Sequence, residues 1–176
     1  MEIRARLKKI KLFISDVDGV FTDGSFFING ELGEFKKFNA LDGLGVKLLQ
    51  NAGIPVAVIS GRQSLATTER MTKLDIEDII QGEVTKLEAY EKLKIKYGVS
   101  DDEIAYIGDD VIDVPLLRKV GLAVSVPNSV TEARENAHYI TQKSGGDGAL
   151  REVADMILKA QNKYYFALEK FTGIKY

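Results

Sequence analysis

Short apolar runs recur along this chain, separated by stretches with helical spacing, and that alternation narrows the fold more than any other feature. "KLFIS" (11–15), "IPVAVIS" (54–60), "IAYIGD" (104–109), "LAVSV" (122–126) and "HYIT" (138–141) read as strands. They are short, rich in β-branched residues and mostly followed by Gly, Pro, Asn or Asp. "EDII" (77–80) is a weaker sixth. Between them, "TKLEAYEKLKIKYG" sets Leu87, Tyr90, Lys94 and Tyr97 along one side and stops at Gly98. "SDDE" (100–103) has capping-box spacing but room for at most one turn. "GALREVADMILKA" puts Leu150, Val153, Ala154, Ile157 and Leu158 on one face. Strand–helix alternation at this spacing predicts an open, doubly wound, Rossmann-like α/β sandwich: a parallel sheet with helices on both faces. The 176 residues suit one domain spanning 1–176.

One segment interrupts the alternation. Residues 25–38, "SFFINGELGEFKKF", carry Asn29-Gly30 between two β-like arms, a strong hairpin signal. The expected insertion covers about 22–38. Its phenylalanines, Phe26, Phe27, Phe35 and Phe38, either pack back on the parent domain or build an interface between subunits. The aromatic and basic C-terminal tail, 162–176, is expected to lie beyond the last regular helix.

Composition removes several function classes. A net charge of −2 gives no bulk attraction to nucleic acid or to an anionic membrane. No apolar run approaches the roughly 20 residues of a spanning helix. "MEIRARLKKIKLF" is charged throughout, unlike a signal peptide, so a cytoplasmic protein is expected. Zero cysteines exclude thiolate catalysis and Cys-ligated zinc, and one histidine, His138, excludes His-cluster metal sites. Chemistry is left to carboxylates, Lys and Arg, hydroxyls and backbone amides.

In open α/β sheets, ligands bind beyond the carboxyl ends of the strands. Asp16 and Asp18 end the first strand, Ser60 the next long one, and Asp109, Asp110 and Asp113 the third. If those strands are neighbours, all of these groups meet at one mouth. Asp16 and Asp109 offer hard oxygen ligands suited to Mg2+. Asp16 can then attack phosphorus, forming an aspartyl-phosphate, with Asp18 as acid and base. Ser60 offers a hydroxyl for the phosphoryl oxygens, and Lys86 a fixed positive charge. Plainer readings exist for each group. Asp109 and Asp110 can be helix N-caps, Ser60 a turn serine, Lys86 a solvated helix lysine, Asp42 a turn or N-cap, and Asp23-Gly24 a turn. Their coincidence at successive strand ends favours the joint functional reading.

These motifs resemble the haloacid dehalogenase superfamily of phosphohydrolases: "DVDGV" its first motif, Ser60 the second, Lys86 the third, "GDDVID" the fourth. The resemblance implies Asp16 as nucleophile and Asp18 as acid/base. It implies Mg2+ on Asp16, Asp109 and the backbone carbonyl of Asp18. Closer still, "DVDGVFTDG", "FNALDGLG", "VISGR", "IGDDVIDVPLL" and "SGGDGALRE" resemble the 3-deoxy-D-manno-octulosonate 8-phosphate phosphatase family of lipopolysaccharide precursor synthesis. That resemblance implies substrate contacts from Asp18, Asn39, Ala40, Leu41, Asp42, Gly43, Lys47, Gly61, Arg62, Arg70 and Lys86. Relatives often carry arginine at position 47; lysine keeps the charge but loses the bidentate fork. The set suits a sugar acid with a phosphate at one end and a carboxylate at the other.

The 25 residues between Ser60 and Lys86 leave no room for a cap domain. A capless site means either a macromolecular substrate or closure by a neighbouring subunit. The phenylalanine-rich hairpin and the aromatic tail favour the second, and the resemblance implies a homotetramer. Residues 162–176 are expected to help cover an active site, its own or a neighbour's. Alternatives are a phosphatase for a related nonulosonate or sialic acid 9-phosphate, a receiver-like phosphoacceptor domain, and a non-catalytic regulatory module.

Overall fold

The structure, a computed structural model, describes residues 2–30 and 33–176. Its strands are β1 (Leu12–Ser15), β2 (Phe27–Asn29), β3 (Gly33–Phe35), β4 (Val56–Ser60), β5 (Asp78–Gln81), β6 (Ile104–Ile107), β7 (Leu122–Ser125) and β8 (Tyr139–Ile140). Its helices are α1 (Ile3–Leu7), α2 (Ala40–Asn51), α3 (Leu65–Lys73), α4 (Leu87–Tyr97), α5 (Val114–Leu117), α6 (Thr131–Glu135), α7 (Ala149–Ala160) and α8 (Tyr164–Thr172).

β1 is apolar at consecutive positions because it is buried on both faces. Phe13 faces a core built with α2, α3 and α7, whereas Leu12 and Ile14 face a second core built with α4 and α5. The six-stranded sheet runs β5-β4-β1-β6-β7-β8 with every pairing parallel. β1 lies between β4 and β6, so the three strand ends that carry the acidic and hydroxyl groups are adjacent. The chain therefore has the expected doubly wound sandwich with helices on both faces and a hairpin insertion. Among the described residues, no helix is long and apolar enough to cross a membrane.

α7 buries the expected face of Leu150, Val153, Ala154, Ile157 and Leu158. Ser100 and Glu103 form the capping box of a single 3-10 turn, Asp101–Glu103. α4 corrects the expected stripe. Its buried residues are Ala89, Tyr90 and Leu93, with Leu87 exposed and Lys94 half-buried in an ion pair with Asp101. Lys86 is itself buried, and the spacing 86, 89, 90, 93 is one helical face. The stripe thus includes a lysine that an apolar pattern would not count.

The tail also differs from expectation: most of it is α8, a regular helix. Asn162 adopts φ 55, which turns the chain after α7, and Ala167 is buried with Tyr164 and Leu168 packed beside it. α8 lies at the far end of the sheet from the strand mouths. Lys170 reaches the carbonyl of Asn51, at the C-terminus of α2, and Gln161 reaches those of Leu7 and Ile10, ahead of β1.

The hairpin β2–β3 is present, but Asn29 pairs with Gly33 and so belongs to the strand rather than to a two-residue Asn-Gly turn. Its phenylalanines divide. Phe27 and Phe35 are exposed, Phe38 packs against the core, and Phe26 lies under the Arg62 guanidinium at 4.1 Å.

Candidate active site

Asp16 follows β1 directly, and its backbone N–H donates to the carbonyl of Ile107 at 2.9 Å, which ties it to the end of β6. Asp16, Asp18, Ser60, Gly61, Arg62, Val84, Asp109, Asp110 and Ile112 line a cavity of about 250 Å³ at these strand ends. All three strand ends meet there, as the parallel topology requires.

Behind the cavity lies a buried ionic core. Lys86 Nζ donates to Asp16 Oδ1 at 2.7 Å, to Asp113 Oδ1 at 2.6 Å and to the Tyr106 hydroxyl at 3.2 Å. Tyr106 in turn donates to Asp113 Oδ1. Asp113 Oδ2 accepts from the backbone N–H groups of Asp109 at 2.9 Å and Asp110 at 3.1 Å. Every Asp113 oxygen is occupied by the protein, so Asp113 braces the site. Lys86 is far from a solvated helix lysine. Burial alone would depress its pKa, but the charges of Asp16 and Asp113 outweigh that and raise it.

Asp109 is different. Its Oδ1 is buried and accepts no hydrogen bond, so it is not an N-cap. Asp110 does cap the one-turn helix Val111–Asp113, accepting from the N–H of Val111 at 2.6 Å. Burial, and then the charges of Asp16 and Asp113, push the Asp109 carboxyl far above the usual carboxylate range. Burial raises Asp16 as well, with Lys86 opposing and Asp113 adding to the shift. Oxygens of Asp16, Asp109 and Asp113 lie within 4.8 Å of one another. A cluster of hard donors with one buried, unpartnered oxygen fits a divalent cation held by Asp16 and Asp109. Gly19 makes room for it. A Cβ there would stand 2.0 Å from Asp109 Oδ2, and the φ of +89° suits glycine.

Ser60 Oγ accepts from the N–H of Arg62 at 3.2 Å, so the turn role and the cavity position coexist. Asp23 Oδ1 accepts from the N–H of Ser25 at 2.9 Å and forms the expected turn, apart from the cavity lining.

Asp18 has company that the motifs do not announce. Lys36, just past β3, donates to Asp18 Oδ2 at 2.9 Å and lies 2.6 Å from Oδ1. Arg62 donates to Glu34 Oε2 at 2.8 Å, and its Nε lies 3.9 Å from Asp18 Oδ2. Glu34 and Lys36 flank the exposed Phe35, so the two-residue period of β3 aims both charged groups inward. That alternation in "GEFKKF" was the available signal for them. Tyr106, in an apolar strand, gave none.

The remaining expected contacts lie outside the lining of this cavity. Asn39 caps α2, accepting from the N–H of Leu41 at 2.8 Å, and its amide donates to the carbonyl of Gly146. Asp42 is neither a turn residue nor the cap of its own helix. It is buried in the first turn of α2 and accepts from Gly148 at 3.2 Å and Arg151 at 3.1 Å, capping α7. Gly43 accommodates Arg70, whose Nη2 would meet a Cβ at 2.4 Å. Arg70 donates to the carbonyl of Asn39 at 3.4 Å, and its Nε is buried without a partner. Ala40 and Leu41 are exposed at the start of α2. Lys47 pairs with Asp75, away from the cavity, because its position on α2 points it at the turn after α3.

Known proteins resemble this chain in sequence and in fold. Residues 73–153 match the family model of the haloacid dehalogenase-like hydrolases. The chain is 40% identical to the 3-deoxy-D-manno-octulosonate 8-phosphate phosphatase of Yersinia pestis, over 98% of this chain and 90% of that one. The crystal structure of the phosphatase of that name from Moraxella catarrhalis, in complex with magnesium ion, phosphate ion and a KDO molecule, superposes with a TM-score of 0.92. It is 44% identical and covers 97% of this chain and 98% of that one. A hydrolase of the same superfamily from Legionella pneumophila gives a TM-score of 0.95 at 45% identity, covering 98% of this chain and 94% of that one. The chain belongs to the haloacid dehalogenase-like hydrolases and, within them, to the family of the 3-deoxy-D-manno-octulosonate 8-phosphate phosphatases.

Proposed function

We propose that this protein is a Mg2+-dependent phosphomonoester hydrolase that cleaves 3-deoxy-D-manno-octulosonate 8-phosphate to the free sugar acid and phosphate. The observation that carries this reading is the convergence of Asp16, Asp18, Ser60 and Asp109 on one cavity with a buried, unpartnered Asp109 oxygen. The relative whose structure holds magnesium, phosphate and KDO supports the choice of substrate.

In this reading Asp16 is the nucleophile. Its carboxylate attacks phosphorus as the bond from phosphorus to the sugar oxygen breaks, and Asp18 gives that oxygen its proton. Asp18 then takes a proton from water as the water oxygen attacks the aspartyl-phosphate, which releases phosphate and restores Asp16. Ser60 Oγ and the backbone at Gly61 hold phosphoryl oxygens, while Lys86 fixes Asp16 and supplies positive charge. Mg2+, held by Asp16, Asp109 and the carbonyl of Asp18, supplies charge that offsets the carboxylates and the phosphate. Arg62 is the cation at the cavity wall for the sugar carboxylate, and Arg70, Ala40 and Leu41, outside the cavity lining, are further substrate contacts on the family resemblance alone. Asn39, Asp42, Gly43 and Lys47 support the scaffold instead.

The exposed Phe27, Ile28 and Phe35 of the hairpin support a homotetramer built through it. The tail's position at the far end of the sheet supports a reading in which it helps cover a neighbouring subunit's site. Residues 1–176 act as one catalytic domain, and a cytoplasmic location suits a chain of this composition. A phosphate-release screen over sugar-acid phosphates, including a nonulosonate 9-phosphate, with and without Mg2+ tests the reading. Turnover fastest on the 8-phosphate and absent in Asp16→Asn is expected; full activity of Asp16→Asn would overturn it.

A further inference from the structure

Lys36 is a buried ammonium group delivered to the active site by an otherwise exposed hairpin. Its side chain is 0% exposed, while Phe35 beside it is 52% exposed. Lysine is rarely buried unless paired, and here the partner is Asp18, contacted at both carboxylate oxygens at 2.6 and 2.9 Å. Two further contacts fix the ammonium. Lys36 Nζ donates to Thr67 Oγ1 of α3 at 3.2 Å, and Glu34 Oε1 lies 3.5 Å away. Thr67 is itself buried, so the lysine head is anchored to the body of the protein and does not follow the hairpin tip.

We propose that Lys36 is a positioning residue for Asp18, an inference that rests on Asp18 being the acid and base. A carboxylate at the edge of a cavity has several rotamers, and proton transfer needs one of its oxygens aimed at the reacting atoms. An ammonium spanning both oxygens selects one orientation. The two oxygens are not equivalent: Oδ2 accepts from Lys36, whereas Oδ1, although close to the ammonium, accepts no hydrogen bond among the described residues. Because the ammonium is also held by Thr67 of α3, this support comes from the body of the protein as well as from the hairpin.

The test is a double-mutant cycle with Mg2+ present, using the sugar-acid phosphate and p-nitrophenyl phosphate. Lys36→Met is expected to lower kcat on the sugar-acid phosphate at least tenfold, and by no more than the ~10²–10⁴ that general acid–base catalysis contributes. KM should change less than about twofold, and Lys36→Arg should recover part of kcat. In an Asp18→Asn background, measured by the residual rate on p-nitrophenyl phosphate, Lys36→Met should have no further effect. An equal loss in both backgrounds, or a raised KM with unchanged kcat, would overturn the proposal. If Lys36→Met does not fold, Lys36→Gln replaces it, with thermal melting as the check. Full activity of Asp18→Asn overturns the reading of Asp18 and the proposal with it. A loss at Asp18→Asn with wild-type kinetics at Lys36→Met overturns the proposal alone.

Discussion

Lys86 Nζ lies 2.7 Å from Asp16 Oδ1, and both side chains are almost wholly shielded from solvent. The same ammonium serves Asp113, so one cation offsets two buried carboxylates. Lys86→Met should therefore act on stability as well as on catalysis. Breaking a buried pair leaves uncompensated charge and costs about 3–5 kcal/mol. Urea unfolding of the variant should show that loss, and phosphate release should vanish even where the protein remains folded.

The acidic cluster makes stability depend on pH when the metal is removed. Asp109 is pushed up to about 8, by burial and then by the charges of Asp16 and Asp113. Asp16 is raised in the same direction, chiefly by burial. The folded state then holds protons that the unfolded chain releases, so stability falls as pH rises from the ordinary carboxylate range toward 8. His138 acts oppositely, since burial and then Arg6 lower its pKa and cost stability below its ordinary value. Comparing melting temperatures with EDTA and with Mg2+ cancels the histidine. The Mg2+-induced rise should be larger at pH 8 than at pH 5.

Arg62 is held by Glu34 at 2.8 Å, so an internal carboxylate sits on the cation proposed for the sugar carboxylate. Removing that competitor should favour substrate. The Arg62 side chain is 46% exposed, so the pair is worth the few tenths to 1 kcal/mol of a solvated ion pair. Glu34→Gln should lower KM for the sugar-acid phosphate by about twofold to fivefold. KM for p-nitrophenyl phosphate, which has no carboxylate, should not move.

Asp42 separates resemblance from structure. Its two oxygens accept the N–H groups of Gly148 and Arg151, at the start of α7. Asp42→Ala should cost about 2 kcal/mol, the upper range for a lost helix cap, because it frees one buried and one half-buried N–H group. KM should stay unchanged at temperatures where the variant is folded. A raised KM with unchanged stability would assign Asp42 to substrate binding instead.

Gly19 faces Asp109 so closely that any side chain displaces it. Gly19→Ala should weaken activation by Mg2+ at least tenfold, read from the Mg2+ dependence of phosphate release, while leaving the far-ultraviolet spectrum native. An unchanged Mg2+ requirement would contradict the placement of the cation at Asp109.

The sequence by itself determined the sheet and its chemistry-bearing edge. Parallel strands buried on both faces must be apolar throughout, so they stand out. A carboxylate at the end of such a run, as at Asp16 and Asp109, is conspicuous. Local signals also settled the cap at Gly98, the turn at Asp23 and the inner face of α7, since each depends on residues within a few positions. Only tertiary structure decided which polar groups meet across long sequence separations. Lys86 reads as a helix lysine until α4 docks and carries it to Asp16 and Asp113, where their charges outweigh its desolvation. Asp42 reads as a cap of its own helix until α7 brings two bare N–H groups beside it. Lys36 reads as one charge among many until β3 folds over the strand mouth and places it on Asp18. Patterning reports burial along one element; the partner of a buried charge is chosen by the packing of several.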